Sequence, residues 1–126
     1  MLPEPHRLHH HSEFSRTVRR GHRIGKRDIV VHAFDRARLT TDTGPELSFG
    51  GPRFGLIVSK SIGNAVERHS VARRLRHVCS ELRDEVRPDV DVVIRALPGA
   101  ASSSSAELLR QVRSGVTKLK VLGTEQ

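Results

Sequence analysis

The chain contains no tryptophan and no tyrosine, and its 126 residues include only four phenylalanines and one cysteine. Any stacking on unpaired bases must therefore fall to Phe14, Phe34, Phe49 and Phe54, or to arginine and histidine planes. The single thiol, Cys79, excludes an internal disulfide and a multi-cysteine zinc site, and its apolar helical position marks it as core packing. No run of 18 apolar residues occurs and the N-terminus lacks an apolar signal core, so the sequence predicts a soluble, cytoplasmic protein without a membrane partner. A chain of this length makes one domain, too small for two lobes around an interdomain active site, so function must sit on its surface.

Acidic residues are also scarce: 22 lysines and arginines face 14 aspartates and glutamates, for a net charge of +8. The excess is concentrated in residues 1–27 and 60–76, the first with seven basic and two acidic side chains and the second with five and one. Charge gathered this way is the footprint of a polyanion binder. Histidines His6, His9, His10 and His11 crowd the N-terminus. Consecutive histidines cannot all face one site and no acid stands at ligand spacing, so they read as an arm laid along phosphates and not as a metal centre.

Residues 1–11 read as a flexible basic arm and 12–122 as a single RNA-binding domain. Ser12 is placed as the N-cap of a first helix carrying Phe14 and Val18 on one face, with Gly21 past its end. A strand near 22–26, IVVHAF at 29–34 and RFGLIVS at 53–59 have strand composition, the last two read as an antiparallel hairpin around the turn-rich Asp42 to Pro52. Val71, Leu75, Val78, Cys79, Leu82 and Val86 recur at three and four, predicting one amphipathic helix over 65–86 stopped by Pro88. A strand at 89–97 and a closing helix carrying Leu108, Val112 and Val116 complete an αβββαβα order.

The stretch SKSIGNAVERHSVARRLR at 59–76 carries the most information. Asn64 has the side chain of an N-cap, Glu67 closes a capping box, and Gly63 lets the chain turn into it. At about 100° per residue, His69, Arg73, Arg76 and His77 oppose the apolar face. Arginine runs are most often plain solvated surface; here the single nearby acid, Glu67, leaves the cations repelling one another until an anion arrives. Lys60 stands beside the helix N-terminus, whose dipole favours anions. Arg68 projects nearer the apolar side, toward the same ligand or an internal partner.

These residues resemble the signature of the bacterial ribonuclease P protein family, in which a strand is followed by S-K-K-x-G-N-A-V-x-R-N-R-x-K-R-x-x-R. The resemblance extends over about residues 7–100. It departs at His69, Ser70 and Ala72, which stand for an asparagine, an arginine and a lysine, and Arg74 or the N-terminal arm is read as the replacement. The resemblance implies an α+β two-layer sandwich with a four-stranded mixed sheet and a left-handed βαβ crossover, of the ribosomal protein S5 domain 2-like kind, where general rules favour a right-handed one. It implies hydrolysis by a catalytic RNA that requires magnesium ions, with no catalytic residue or confident cofactor on this chain. It further implies contact with ribonuclease P RNA through Lys60, Asn64, Arg68, His69, Arg73, Arg74 and Arg76. The 5′ leader of precursor tRNA would lie in a cleft at Phe14, Val18 and His32.

The competing class is a noncatalytic ribosomal or assembly protein that binds RNA. A protein-only nuclease would need carboxylates or a nucleophile on rigid elements. Asp28, Asp35, Asp89 and Asp91 flank strands and read as turn caps.

Overall fold

The computed structural model describes residues 7, 8, 10–36, 40, 41, 44, 45 and 52–119. His6, His9, Phe49, most of the Asp42 to Pro52 stretch and the last residues of the 12–122 domain lie outside them. Helix α1 (His11–Arg20) is followed by β1 (His22–Gly25) and β2 (Ile29–Asp35). A two-residue ladder, β3 (Thr40–Thr41) with β4 (Gly44–Pro45), precedes β5 (Arg53–Ile57). Then come α2 (Ala65–Leu82), β6 (Val90–Ala96) and α3 (Ser105–Lys118). Among the described residues no helix is long and apolar enough to cross a membrane.

The main sheet runs β1-β2-β6-β5, antiparallel except for the β5–β6 pair. The expected hairpin between 29–34 and 53–59 is therefore corrected. The partner of β2 in a tight hairpin is β1, where the Lys26 N–H donates to Ile29 O at 2.8 Å, and β6 inserts between β2 and β5. The reason lies in composition: β6 is fully buried from Val90 to Ile94 on both faces, and such a strand belongs in the centre of a sheet. The chain leaves β5 and returns in parallel through α2, as a parallel pair requires.

Other boundaries shift. Helix α1 starts after His10, and Ser12 falls within its first turn; Glu13 reaches back to accept the His10 N–H at 3.4 Å. Leu8 is buried and its N–H donates to Phe54 O at 2.8 Å, so packing begins inside the stretch assigned to the arm. Helix α2 ends at Leu82 and not at 86. Pro88 disfavours helical backbone at the residue before it, and the turn at 83–85 carries Val86 into the core as part of an isolated bridge.

Strand alternation divides the sheet. Ile29, Val31, Val92, Ile94 and Phe54 face Val71, Leu75, Val78, Leu82, Leu108, Val112 and Val116 in one core, forming the two expected layers. The other face carries the rows Phe34–Asp91–Arg53, Arg23–His32–Val93–Gly55 and Gly25–Val30–Arg95–Ile57. Helix α1 crosses the first of these rows and part of the second. Burying side chains of this core is worth about 1.5–3 kcal/mol each, which makes α2 a rigid platform for whatever its outer face presents.

Candidate nucleic-acid interface

The entry to α2 is built by local chemistry. Residues 60–62 form a 3₁₀ turn, and Gly63 follows at φ +150°, a backbone that side chains with a Cβ rarely adopt. A Cβ there would also lie 2.2 Å from Glu67 Oε1. Asn64 Oδ1 accepts the Glu67 N–H at 2.8 Å, and Glu67 Oε1 accepts the Asn64 N–H at 2.9 Å. The only acid between residues 60 and 76 is thus occupied by the cap.

The cations beyond it stay unneutralised. Lys60, His69 and Arg73 are exposed, and Arg68 and Arg76 are half-buried. Among the described residues none of Lys60, Arg68, Arg73 and Arg76 has an ion pair with a carboxylate. Arg68 holds its Nε in a buried position without a hydrogen-bond partner. His77 differs, lying 3.9 Å from Glu81. Val66, 77% exposed, adds an apolar surface in the first turn that its sequence position did not flag.

Arg74 and Arg76 both lean away from the outer face of α2. Arg74 turns inward, its guanidinium donating to the carbonyls of Ser103, Ala100 and Ala101, the last two at 3.4 Å. It fastens α2 to the 98–103 turn. Arg76 leans toward the edge of β5, where it lines a cavity with Arg7, Leu8, Phe14 and Cys79. Burial pushes the Cys79 thiol up to about 12, so it stays a neutral core group.

The opposite face of the sheet gathers the other predicted residues. The Phe14 ring lies against Gly55; a Cβ at that position would be 2.4 Å from Phe14 Cε1. His32 pairs across Val93 with Gly55, and Phe14 and Val18 of α1 are half-buried above this face. His32 is only 2% exposed, and neither ring nitrogen has a partner. Burial, followed by the charges of Arg95 and Arg23, lowers its pKa below the ordinary 6.5. Exposed Arg23 and Arg95 therefore flank the predicted cleft. Sequence reasoning missed both, although alternation in VDVVIRA sets Arg95 on the same face as Asp91.

Helix α1 is held over this face by charge. Buried Asp91 accepts from Arg16 at 3.2 Å, from Arg53 at 2.9 and 3.0 Å, and from Arg36. Arg53 also donates to Glu13 of α1 at 2.7 Å, and the Arg16 guanidinium sits 4.8 Å above the Phe34 ring. Asp28 accepts from Ser103 at 2.6 Å, Gln111 at 2.8 Å and Arg27 at 3.2 Å, and these bonds, Ser103's first, hold its pKa below the usual 3.8. Asp35 pairs with Arg87. Asp35 and Asp91 lie within β2 and β6 and Asp28 just before β2, and all three are engaged by side chains and not as the expected turn caps; among the described residues no three His, Cys, Asp or Glu side chains form a metal-binding group.

Comparison with known proteins identifies the family and the fold. The family model described as Ribonuclease P matches residues 2–120. The ribonuclease P protein component of Nocardia farcinica is 63% identical, over 96% of this chain and 85% of the relative. That of Rhodococcus opacus is 62% identical, over 97% and 94%. The solved ribonuclease P protein of Staphylococcus aureus superposes with a TM-score of 0.74 at 21% identity, over 94% of this chain and 98% of that one, which is a likeness of fold.

Proposed function

We propose, from the premise that the chain belongs to the bacterial ribonuclease P protein family and is the protein component of that ribonucleoprotein, that its two faces serve two RNAs. The cations on and just before α2, with Lys60 and Arg68 near its N-terminal end and His69 and Arg73 on its outer face, dock on the catalytic RNA. The sheet face around Phe14, Val18 and His32, with Arg23 and Arg95, receives the single-stranded 5′ leader of precursor tRNA. The observation that carries the reading is the absence of any carboxylate paired with Lys60, Arg68, Arg73 or Arg76 among the described residues. Cations on a rigid helix with no internal counter-charge are completed by phosphates.

In this reading magnesium ions held by the RNA supply the hydrolytic chemistry. The chain's own residues bind and orient: the guanidinium groups set the subunit on the RNA scaffold, Phe14 offers its ring to a base, and buried His32 forms part of the sheet beneath the cleft. The work belongs to tRNA maturation in the cytoplasm. Cleavage of a precursor with a long leader, reconstituted at near-physiological salt, tests it. The protein by itself is expected to cut nothing, and added to the RNA it is expected to raise kcat/KM for leader removal. Cleavage by the purified protein, or no enhancement over the RNA, would overturn the reading.

A further inference from the structure

We propose that the cavity at the outer edge of β5 seats one unpaired RNA base, with the neighbouring phosphates on Arg7 and Arg76. The inference rests on the reading of the chain as an RNA-binding subunit and deepens it. The cavity, about 160 Å³, is lined by Arg7, Leu8, Phe14, Phe54, Gly55, Leu56, Arg76 and Cys79. Leu8, Phe54 and Cys79 are buried and form its interior, whereas exposed Arg7 and half-buried Arg76 stand at its mouth. It straddles the edge of the sheet: Gly55 opens toward α1, and Phe54 and Leu56 toward α2.

Charge, size and shape together choose the occupant. The lining contains two guanidinium groups and no carboxylate, so it fits a body with apolar faces beside negative charge. Its volume is below the roughly 300–1,000 Å³ of pockets for drug-sized ligands, which suits a single ring system. The aromatic wall is fixed in advance, because the Phe14 ring is seated on the Gly55 backbone with no room for a Cβ between them. A nucleotide offers a flat ring for Phe14 and a phosphate on either side for the arginines. The base must be unpaired, since a paired one stays in its stack. Arg76 belongs to the same helix as the stripe and Phe14 to the cleft, so an RNA strand passing from one surface to the other crosses this mouth.

The test uses the full-length protein with its RNA subunit. Leu56→Trp fills the cavity, and Arg7→Ala removes one phosphate contact at an exposed position. For each, affinity is measured for the RNA subunit, and the reconstituted holoenzyme is titrated with precursors bearing a long leader or a one-nucleotide leader. Loss of about tenfold is expected in one of these arms, and that arm identifies which RNA supplies the base. Single abasic substitutions are then scanned through that RNA. One position should cost the wild-type protein the same factor while costing the Leu56→Trp protein nothing further, the signature of a shared contact. Unchanged affinity in both arms for both variants, or losses that add at every abasic position, would overturn the proposal. Arg7→Ala decides the matter if Leu56→Trp lowers the melting temperature. Failure of the wild-type protein to bind the RNA subunit at all would instead contradict the subunit reading itself.

Discussion

At the scale of single residues, neighbouring arginines on one helix have opposite fates. Arg73 is exposed and without an acid, while Arg74 donates to three backbone carbonyls. Arg73→Ala is expected to weaken RNA-subunit binding while leaving thermal unfolding unchanged. Arg74→Ala is expected to destabilise the fold by about 1–3 kcal/mol, because buried carbonyls lose their donor, with little effect on affinity once the protein is folded. Melting curves beside binding titrations separate the two, and the reverse pattern would show the assignments exchanged. His32 provides a pH signature. Its folded pKa lies below the unfolded 6.5, so the unfolded chain takes up the proton first. Stability is then full above pH 6.5 and is lost as pH falls below it. Unfolding measured between pH 7.5 and 5 should show a smaller loss in His32→Phe than in the wild-type protein. Identical pH slopes would mean that His32 is not held neutral. Asp28 acts in a lower window, with its stabilisation lost only as pH falls below 3.8.

At the scale of elements, α1 shows how charge can dock a helix. Asp91 is 0% exposed and meets Arg16, Arg36 and Arg53. Removing this carboxylate would leave Arg16 and Arg36 without it and Arg53 with Glu13 alone, and breaking a buried pair costs about 3–5 kcal/mol. Asp91→Ala is accordingly expected to lower stability by about that amount, read from denaturant unfolding; a loss within experimental error would mean that α1 is held by its apolar contacts. Helix α2 is legible in the sequence at both its cap and its core face. The Gly63–Asn64–Glu67 cap is local chemistry, and Val71, Leu75, Val78 and Leu82 are a local period. Strand pairing was less legible. The partner of β2 depends on β6, some sixty residues away, whose unbroken apolar run says that it is central but not between which strands. The inward lean of Arg74 and Arg76 was not legible for a related reason: angle around a helix tells which way a side chain leaves the axis, whereas its length lets it return to the 98–103 carbonyls or to the β5 edge. The cleft was placed by resemblance at Phe14, Val18 and His32, while Arg23 and Arg95 became visible only once β1, β2 and β6 lay side by side.

At the scale of the whole molecule, the distribution of charge matters more than its sum. Carboxylates are drawn into the Asp91 and Asp28 clusters, the α2 cap and the pairs of Arg113 with Glu85 and Arg87 with Asp35. Among the described residues the positive excess is therefore expressed where acids are missing, on the outer side of α2 and beside the sheet cleft. On the proposed reading, binding runs chiefly through phosphate contacts and releases counterions. The most direct measurement is RNA-subunit affinity as a function of salt, for the wild-type protein and for a variant with Arg68, Arg73 and Arg76 all changed to glutamine. The wild-type log-log plot should fall steeply, by several units per decade, and the variant should bind more weakly with a slope shallower by about one unit for each phosphate contact removed. A flat wild-type response, or equal slopes for the two proteins, would contradict the claim that this helix face is completed by RNA phosphates.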